Sequence, residues 1–492
     1  MSGHSRRGAR CLVRAERKKG LRTIAFDHPP ARGHRSPMHE RWQNRSPSDL
    51  SVLLPEVAAG DVAAAVAGAV EAAQSWARTP LEERTARMRV AQRGLADAKE
   101  GLARGIARET GKPLAEAHGE LGAVIAKIDL TIADAGRWLA EERIAGGPHP
   151  ALVRRRARGP AAVIGPFNFP LHLGHGANVA HLLAGNPVIF KPSPLAANVC
   201  AEYGAIMAAA FPPGVFTLLQ GGGAAGEALC LDPRVRAVSF TGSAPVGRTL
   251  ARALAEDFSK ELALELGGSN ALIVCADAEL EKAAIAAAEG VCLTAGQRCN
   301  ATSRIIVEKP VAAEFQELFL SALAAFQPGD PLLPETRLGP LINEAAVRRY
   351  ERLLASMRGE WVMPGKVEPV VAGRRGFWVR PAVVIGSDER VEDECFMPIV
   401  RLHVAGDLDE AVRIHEATPF GLTASIFTRS HALFHQLGDR LSIGNLYGNL
   451  PTTFSPSTLP FGGWKSSGNG RPGGWGFIRF ATVEQAVQWP EG

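Results

Sequence analysis

From residue 161 onward the chain repeats one unit, a short apolar run followed by a helical stretch, and that repetition limits the fold more than any other feature. The runs at 161–164, 188–190, 215–219 and 237–240 are largely apolar without strict alternation, the pattern of strands buried on both faces of a sheet. Strands separated by helices pair in parallel, so a parallel sheet covered on both sides is expected, and such sheets bind dinucleotides at the carboxyl ends of their strands. A second set follows, with strands near 271–274, 304–307, 379–385 and 423–427. The fold class is therefore α/β, and 492 residues imply roughly two to four domains.

Upstream, Asp61 is placed to cap an alanine-rich amphipathic helix over 62–76, and helical periodicity continues over 81–109. Gly111-Lys112-Pro113 breaks it, and a further helix is expected to about residue 142. Residues 144–150 read as loop, and 152–158 alternate as an exposed ribbon strand does. Residues 1–45 carry twelve Lys or Arg against Glu16, Asp27 and Glu40. The net charge of +5 thus belongs to this head, and the mildly acidic remainder argues against a nucleic-acid surface. The head, with Arg6, Arg7, Arg17, Lys18 and Lys19, lacks the apolar segment of a secretory signal; it is expected to be a disordered basic extension, with Met38 as an alternative start. Seven cysteines, sparse and odd in number, speak for a reducing compartment, the cytoplasm. No apolar run reaches the length of a membrane span.

Chemistry concentrates in Ala295-Gly296-Gln297-Arg298-Cys299. A cysteine behind a glycine turn, with Glu265 standing 34 residues earlier in Leu264-Glu265-Leu266-Gly267-Gly268, reads as a thiolate nucleophile served by a general base. Gly165-Pro166-Phe167-Asn168-Phe169-Pro170 is a strand-to-helix turn whose asparagine offers an amide to a developing oxyanion, although an Asx turn would use the same residue. Thr241-Gly242-Ser243-Ala244-Pro245-Val246-Gly247 follows a strand and opens a helix, where backbone amides and the Ser243 hydroxyl can meet a pyrophosphate. Lys191, followed by Pro192-Ser193-Pro194, puts a cation at the carboxyl edge of the sheet. Gly221-Gly222-Gly223-Ala224-Ala225-Gly226 matches the dinucleotide fingerprint in spacing, but no acidic residue ends the next strand to hold a ribose, so a plain turn is the better reading. His172 and His175 lack further metal ligands and read as ordinary helix residues, and Cys292 as a packed helix residue. Glu394, in Glu394-Cys395-Phe396-Met397-Pro398, can reach a ribose hydroxyl or stand as an exposed loop carboxylate.

These motifs, in this order over roughly residues 46–485, resemble the aldehyde dehydrogenase superfamily; the C-terminal signature is Phe461-Gly462-Gly463-Trp464-Lys465-Ser466-Ser467-Gly468. The resemblance implies that Cys299 is the nucleophile, Glu265 the base, and Asn168 the oxyanion donor together with the Cys299 N–H. It implies NAD as cofactor, with Lys191 and Glu394 on ribose hydroxyls, Ser243 on the pyrophosphate, and Ser193, Thr241, Gly242, Gly247 and Phe396 completing the site. Pro194 stands where many NAD-preferring members carry an acidic residue, which leaves room for NADP, and Met397 replaces a usual glycine. The implied architecture is a Rossmann-type cofactor domain (46–142 and 159–264), an α/β catalytic domain (265–442) and a β-ribbon oligomerisation arm (143–158 with 443–492), hence a homodimer or homotetramer. Within the superfamily, Leu182-Leu183-Ala184-Gly185-Asn186, Thr294 to Cys299 and Ser466-Ser467-Gly468-Asn469-Gly470-Arg471-Pro472 are most similar to the succinylglutamate-semialdehyde dehydrogenases of arginine catabolism. That likeness implies an acidic aldehyde substrate, with Phe169, Arg298, Phe461 and Arg471 as its contacts and Lys465 as a further cation. Oxidation of 2-oxoglutarate semialdehyde or an aromatic aldehyde is the alternative; a catalytically silent homologue is another, against which the intact Cys299, Glu265 and Asn168 speak.

Overall fold

The computed structural model describes residues 40–145, 149–386 and 393–490; the expected extension over 1–39 and the start at Met38 lie outside the described residues. Four helices follow the short strands of residues 41–58: α1 (Val62–Arg78), α2 (Leu81–Asp97), α3 (Lys99–Thr110) and α4 (Leu114–Trp138). Asp61 caps α1 by accepting the Ala64 N–H at 3.1 Å, as expected. The one helix expected over 81–109 is two, broken at Ala98, so that Met88, Ala91 and Leu95 and then Leu102, Ala103 and Ile106 each reach the core from their own axis. Residues 40–45, read as part of the extension, are packed instead: Arg41–Trp42 pairs with Val57–Ala58, and Trp42 Nε1 and Asn44 Nδ2 donate to the Pro194 carbonyl at 3.2 and 2.8 Å. Charge counting could not see the aromatic anchor inside a basic stretch.

After α4, which stops short of residue 142, β1 (Glu142–Ile144) and β2 (Ala151–Ala157) begin an antiparallel ribbon. The first large sheet then builds from β3 (Ala161–Ile164), β4 (Val188–Lys191), β5 (Phe216–Leu218), β6 (Ala237–Thr241) and β7 (Glu261–Glu265), all parallel, in the order β7-β6-β3-β4-β5. Strand order reverses between β3 and β6, and the crevice outside their carboxyl ends is the ligand position of such sheets. Helices α5 (His172–Ala184), α6 (Ala197–Ala210), α7 (Gly223–Leu231) and α8 (Ala244–Leu254) run between its strands. Strand β7 was not expected, and Glu265, read as part of a glycine turn, is its last residue.

Residues 266–269 cross to a second sheet of β8 (Asn270–Val274), β9 (Thr302–Glu308), β10 (Glu360–Met363), β11 (Ala382–Ile385), β12 (Ile399–Ala405), β13 (Thr423–Phe427) and β14 (Asn445–Gly448). Their order is β10-β11-β12-β9-β8-β13-β14, parallel except for β10. The strand expected over 379–385 is interrupted at Pro381, which has no N–H to give a ladder; Arg374–Arg380 pairs with Lys366–Val371 in a separate hairpin. Helix α9 (Leu280–Cys292) runs from β8 towards the cysteine turn, with Cys292 buried at its end. Near the C-terminus, β15 (Gly468–Asn469) returns antiparallel to the edge of β7, and β16 (Thr482–Gln488) completes the ribbon on β2. One apolar core joins the opening helices, α5, α6 and the first sheet through Trp76, Leu121, Phe190 and Tyr203, and another lies on the second sheet around Phe315, Phe319 and Tyr350. No described helix is long and apolar enough to cross a membrane.

Candidate active site

Three segments converge where the chain crosses between the sheets. Strand β7 delivers Glu265 in register with Thr241 of β6, and the Gly242 N–H donates to the Glu265 carbonyl at 3.1 Å. Asn270, the first residue of β8, donates from Nδ2 to the carbonyls of Cys299 and Ala301 at 2.8 and 2.9 Å and accepts the Thr423 N–H at 3.1 Å, so it fixes the cysteine backbone from the opposite side. The turn after β3 brings in Asn168, 4% exposed, whose Nδ2 donates to the Gln297 carbonyl at 2.8 Å. An amide nitrogen carries two hydrogens, so this bond fixes the plane of the group and leaves one donor.

Among the six described cysteines, Cys299 is partly accessible and the other five are buried. Both carboxyl oxygens of the buried Glu265 lack a partner of ordinary hydrogen-bond geometry, while the Cys299 thiol lies near enough to favour the carboxylate. Burial, reinforced by Glu394 and opposed by that thiol, pushes Glu265 up to about 8. Burial and then the carboxyl groups of Glu265 and Glu394 push the Cys299 thiol well above its usual range, against the pull of the Arg298 guanidinium. Both groups therefore hold their protons, and each has to lose one before it can act, the thiol to attack and the carboxyl to take a proton from water.

The turn before Cys299 is left-handed for three residues, with φ of 53° at Thr294 and Ala295 and 68° at Gly296. A residue with a Cβ costs about 1–2 kcal/mol there, and a β-branched one is a clear outlier. At Gly296 a Cβ would also overlap the Met397 carbonyl. Gly296→Ala is therefore expected to cost about 2–5 kcal/mol from backbone strain plus overpacking, seen as a lower thermal midpoint together with reduced turnover. The buried Met397 sits where the departure from the usual glycine was read, and its backbone closes over this turn. Arg298 pairs with Glu116 at 2.6 Å and lies 4.9 Å from the Phe169 ring centroid; Lys112 Nζ also approaches that ring, at 3.6 Å.

At the edge of the first sheet, Lys191 is buried, donates from Nζ to the Pro192 carbonyl at 3.0 Å, and is pushed down to about 8 by burial. Ser193 caps the Leu195 N–H at 3.3 Å. Thr241, Gly242 and Ser243 lead into α8, where no side chain caps the N-terminus and no acidic residue sits in the first turn. Gly247 faces Leu266, so its missing side chain serves the packing of α8 on the crossing segment. The glycine run read as a plain turn opens α7, and a Cβ at Gly226 would touch the Lys191 side chain. Glu394 accepts the Gly268 N–H at 3.3 Å and is pushed up to about 7 by burial. Phe396, at φ 55°, turns its ring edge-on to Phe167 with centroids 6.1 Å apart.

On the other side, a cavity of about 180 Å³ is lined by Asn445, Tyr447, Leu459, Phe461 and Arg471. Burial, and after it proximity to Cys299, pushes the Tyr447 phenol up, so this cavity lies on the thiol's side of the molecule. Arg471 is held at φ 46° with its backbone against Gly462, and among the described residues its guanidinium has no ion-pair or hydrogen-bond partner. Lys465 is engaged by Glu416 at 2.7 Å. His172 and His175 lie on α5, and His175 Nδ1 meets the Tyr203 hydroxyl at 2.9 Å. Sequence reading missed Asn270, Glu116, Thr294 and Tyr447; only the polar asparagine opening an apolar strand carried a signal.

The sequence model described as the aldehyde dehydrogenase family matches residues 36–487. An N-succinylglutamate 5-semialdehyde dehydrogenase of Caulobacter sp. (strain K31) is 35% identical over 424 residues, covering 84% of this chain and 85% of its own length. The protein of that name from Klebsiella pneumoniae is 35% identical over 449 residues, 88% of this chain and 89% of its own. Among solved structures, 1-pyrroline-5-carboxylate dehydrogenase from Thermus with bound NAD superposes with a TM-score of 0.86 at 27% identity, covering 92% of this chain and 90% of that one.

Proposed function

The chain belongs to the aldehyde dehydrogenase family, and from that premise we propose that Cys299 carries the chemistry of an NAD(P)-dependent oxidation of N-succinylglutamate 5-semialdehyde to N-succinylglutamate, a step of arginine catabolism. The observation that carries the reading is the buried carboxyl of Glu265, with the Cys299 thiol as its neighbour, that thiol being the one partly accessible among the described residues. The Cys299 thiol releases its proton to solvent, the thiolate Sγ attacks the aldehyde carbon, and the oxyanion that forms is held by the spare Asn168 N–H and the Cys299 backbone N–H. A nicotinamide dinucleotide bound at the edge of the first sheet supplies the hydride acceptor that turns the adduct into a thioester. Glu265, as carboxylate, takes a proton from the water that attacks this thioester, and Sγ leaves as the acid is released.

The residues present fit that cofactor. A buried lysine that spends one of its three donors on a carbonyl has two left for ribose hydroxyls, and the uncapped N-terminus of α8 with Ser243 suits a pyrophosphate. Glu394 takes the second ribose, Ser193, Thr241, Gly242 and Phe396 shape the site, and Pro194 leaves NADP open as an alternative to NAD. We assign the cofactor domain to 46–142 with 159–264, the catalytic domain to 265–442, and oligomerisation to the ribbon of 143–158 with 443–492, forming a homodimer or homotetramer. The six free thiols among the described residues suit a cytoplasmic enzyme.

For the acidic substrate, Arg471 is the unengaged cation at the Tyr447–Phe461 cavity, and we assign it to a substrate carboxylate. A charge-assisted hydrogen bond of about 1.5–3 kcal/mol is equivalent to roughly 10- to 150-fold in affinity. Arg471→Ala should therefore raise KM for the acidic semialdehyde by that factor while leaving non-acidic aldehydes unaffected. A substrate panel followed by NADH and NADPH absorbance tests both points; turnover confined to non-acidic aldehydes would end the succinylglutamate assignment.

A further inference from the structure

A carboxylate on α4 holds the strained turn that leads to Cys299. Glu116 Oε1 accepts the Thr294 N–H at 3.0 Å, and its Oε2 accepts the Thr294 hydroxyl at 2.7 Å and Arg298 Nη2 at 2.6 Å. Arg298 Nε closes the ring by donating to Thr294 Oγ1 at 3.0 Å. Both charged side chains are nearly nine-tenths buried, at 12% and 11% exposure, so the bonds act in a medium where water competes poorly. The residue gripped through both its backbone and its side chain is a β-branched one in left-handed backbone, the conformation that most needs outside support.

The grip reaches both proposed reaction partners. The Thr294 carbonyl accepts from Gln297 N and Nε2, each at 3.1 Å, and the Gln297 carbonyl accepts from Asn168 Nδ2. In the other direction Arg298 is the residue before Cys299. One helical turn along α4, Glu120 accepts the Leu171 and His172 N–H groups at 3.0 and 3.1 Å and pairs with the buried Lys112. The start of α4 thus holds the segment behind Asn168 with one carboxylate and the cysteine turn with the other. We propose that Glu116 is a positioning residue for the reaction at Cys299, holding Thr294 and Ala295 left-handed so that the thiol and the Asn168 amide keep their relative placement. Arg298 then serves as the partner of this latch rather than as a receptor for substrate charge.

The inference rests on Cys299 as nucleophile, and the test separates the two. Misplacement of reacting groups by about 1 Å costs on the order of 100-fold in rate. Glu116→Ala should accordingly lower kcat by roughly 10- to 100-fold, with KM for the aldehyde and nucleotide affinity within about twofold. Adding Thr294→Gly, which adopts left-handed backbone freely, should restore part of that loss, a recovery that a purely structural role would not give. If Glu116→Ala does not fold, Glu116→Gln, alike in shape and keeping one acceptor oxygen, decides the matter by the same split of kcat from KM. Unchanged kcat in the folded variant, or no recovery with glycine at 294, overturns the proposal. Cys299→Ala is assayed alongside: turnover surviving there overturns the nucleophile assignment, whereas an inactive Cys299→Ala with fully active Glu116 variants overturns the latch alone.

Discussion

Cys299→Ala is expected to lower aldehyde oxidation by roughly four orders of magnitude or more, the loss seen when a covalent nucleophile is removed from a site whose other members remain. No described residue offers a substitute: the other five described cysteines are buried, and Glu265, though close, is held mostly protonated near neutral pH by burial. Nucleotide affinity should be unchanged, because Lys191 and the α8 N-terminus lie at the edge of the first sheet while Cys299 leads into the second. Initial rates by NADH absorbance and nucleotide titration by calorimetry check the pair of expectations. Among the six described cysteines iodoacetamide should modify chiefly Cys299, read by peptide mass, and its alkylation should abolish turnover in step. A variant retaining a tenth of the parent rate would remove Cys299 from the mechanism.

The sequence made the first sheet legible because its central strands are buried on both faces, so β3 and β4 read as apolar runs bounded by turns. Strand β7 escaped for the same physical reason in reverse. Its sequence begins and ends on a glutamate, and a carboxyl is costly to bury, so Glu265 does not read as the end of a buried strand. Cys299, Glu265 and Asn168 were readable since each sits in a short segment with unusual glycine or proline neighbours. Their supports were not: Glu116 stands 178 residues from Thr294, and Asn270 acts on backbone carbonyls that any residue possesses. The same distinction sorts the cations. The likeness to a dehydrogenase of acidic semialdehydes offered Arg298, Lys465 and Arg471, and the fold pairs the first two with Glu116 and Glu416, leaving Arg471 at the cavity.

Glu265→Gln should separate the two halves of the reaction. The amide keeps the shape of the side chain but cannot take a proton from water, so the thioester on Cys299 should form and then persist. The expected record is a burst of NADH stoichiometric with enzyme, followed by a steady state slowed by roughly 10²–10⁴, with the acyl adduct visible in the intact mass. In the parent, the active form of Glu265 is the carboxylate, and burial has raised its pKa from the usual 4.5 to about 8. Deacylation should therefore accelerate as pH rises through about 8, and that rise should be missing from the glutamine variant. Stability carries the opposite sign. Between 4.5 and about 8 the folded state keeps a proton that the unfolded chain releases, so stability present in full below the unfolded pKa is lost as pH climbs through the folded one. Glutamine has no such proton, and its thermal midpoint should gain on the parent's across this window and hold a constant lead above it. If Glu265 is the base, its burial is thus read twice, as a rate that climbs with pH and a fold that weakens over the same interval. A glutamine variant without a burst would place the water-activating base elsewhere, and one whose midpoint tracks the parent at every pH would show that burial has not raised Glu265.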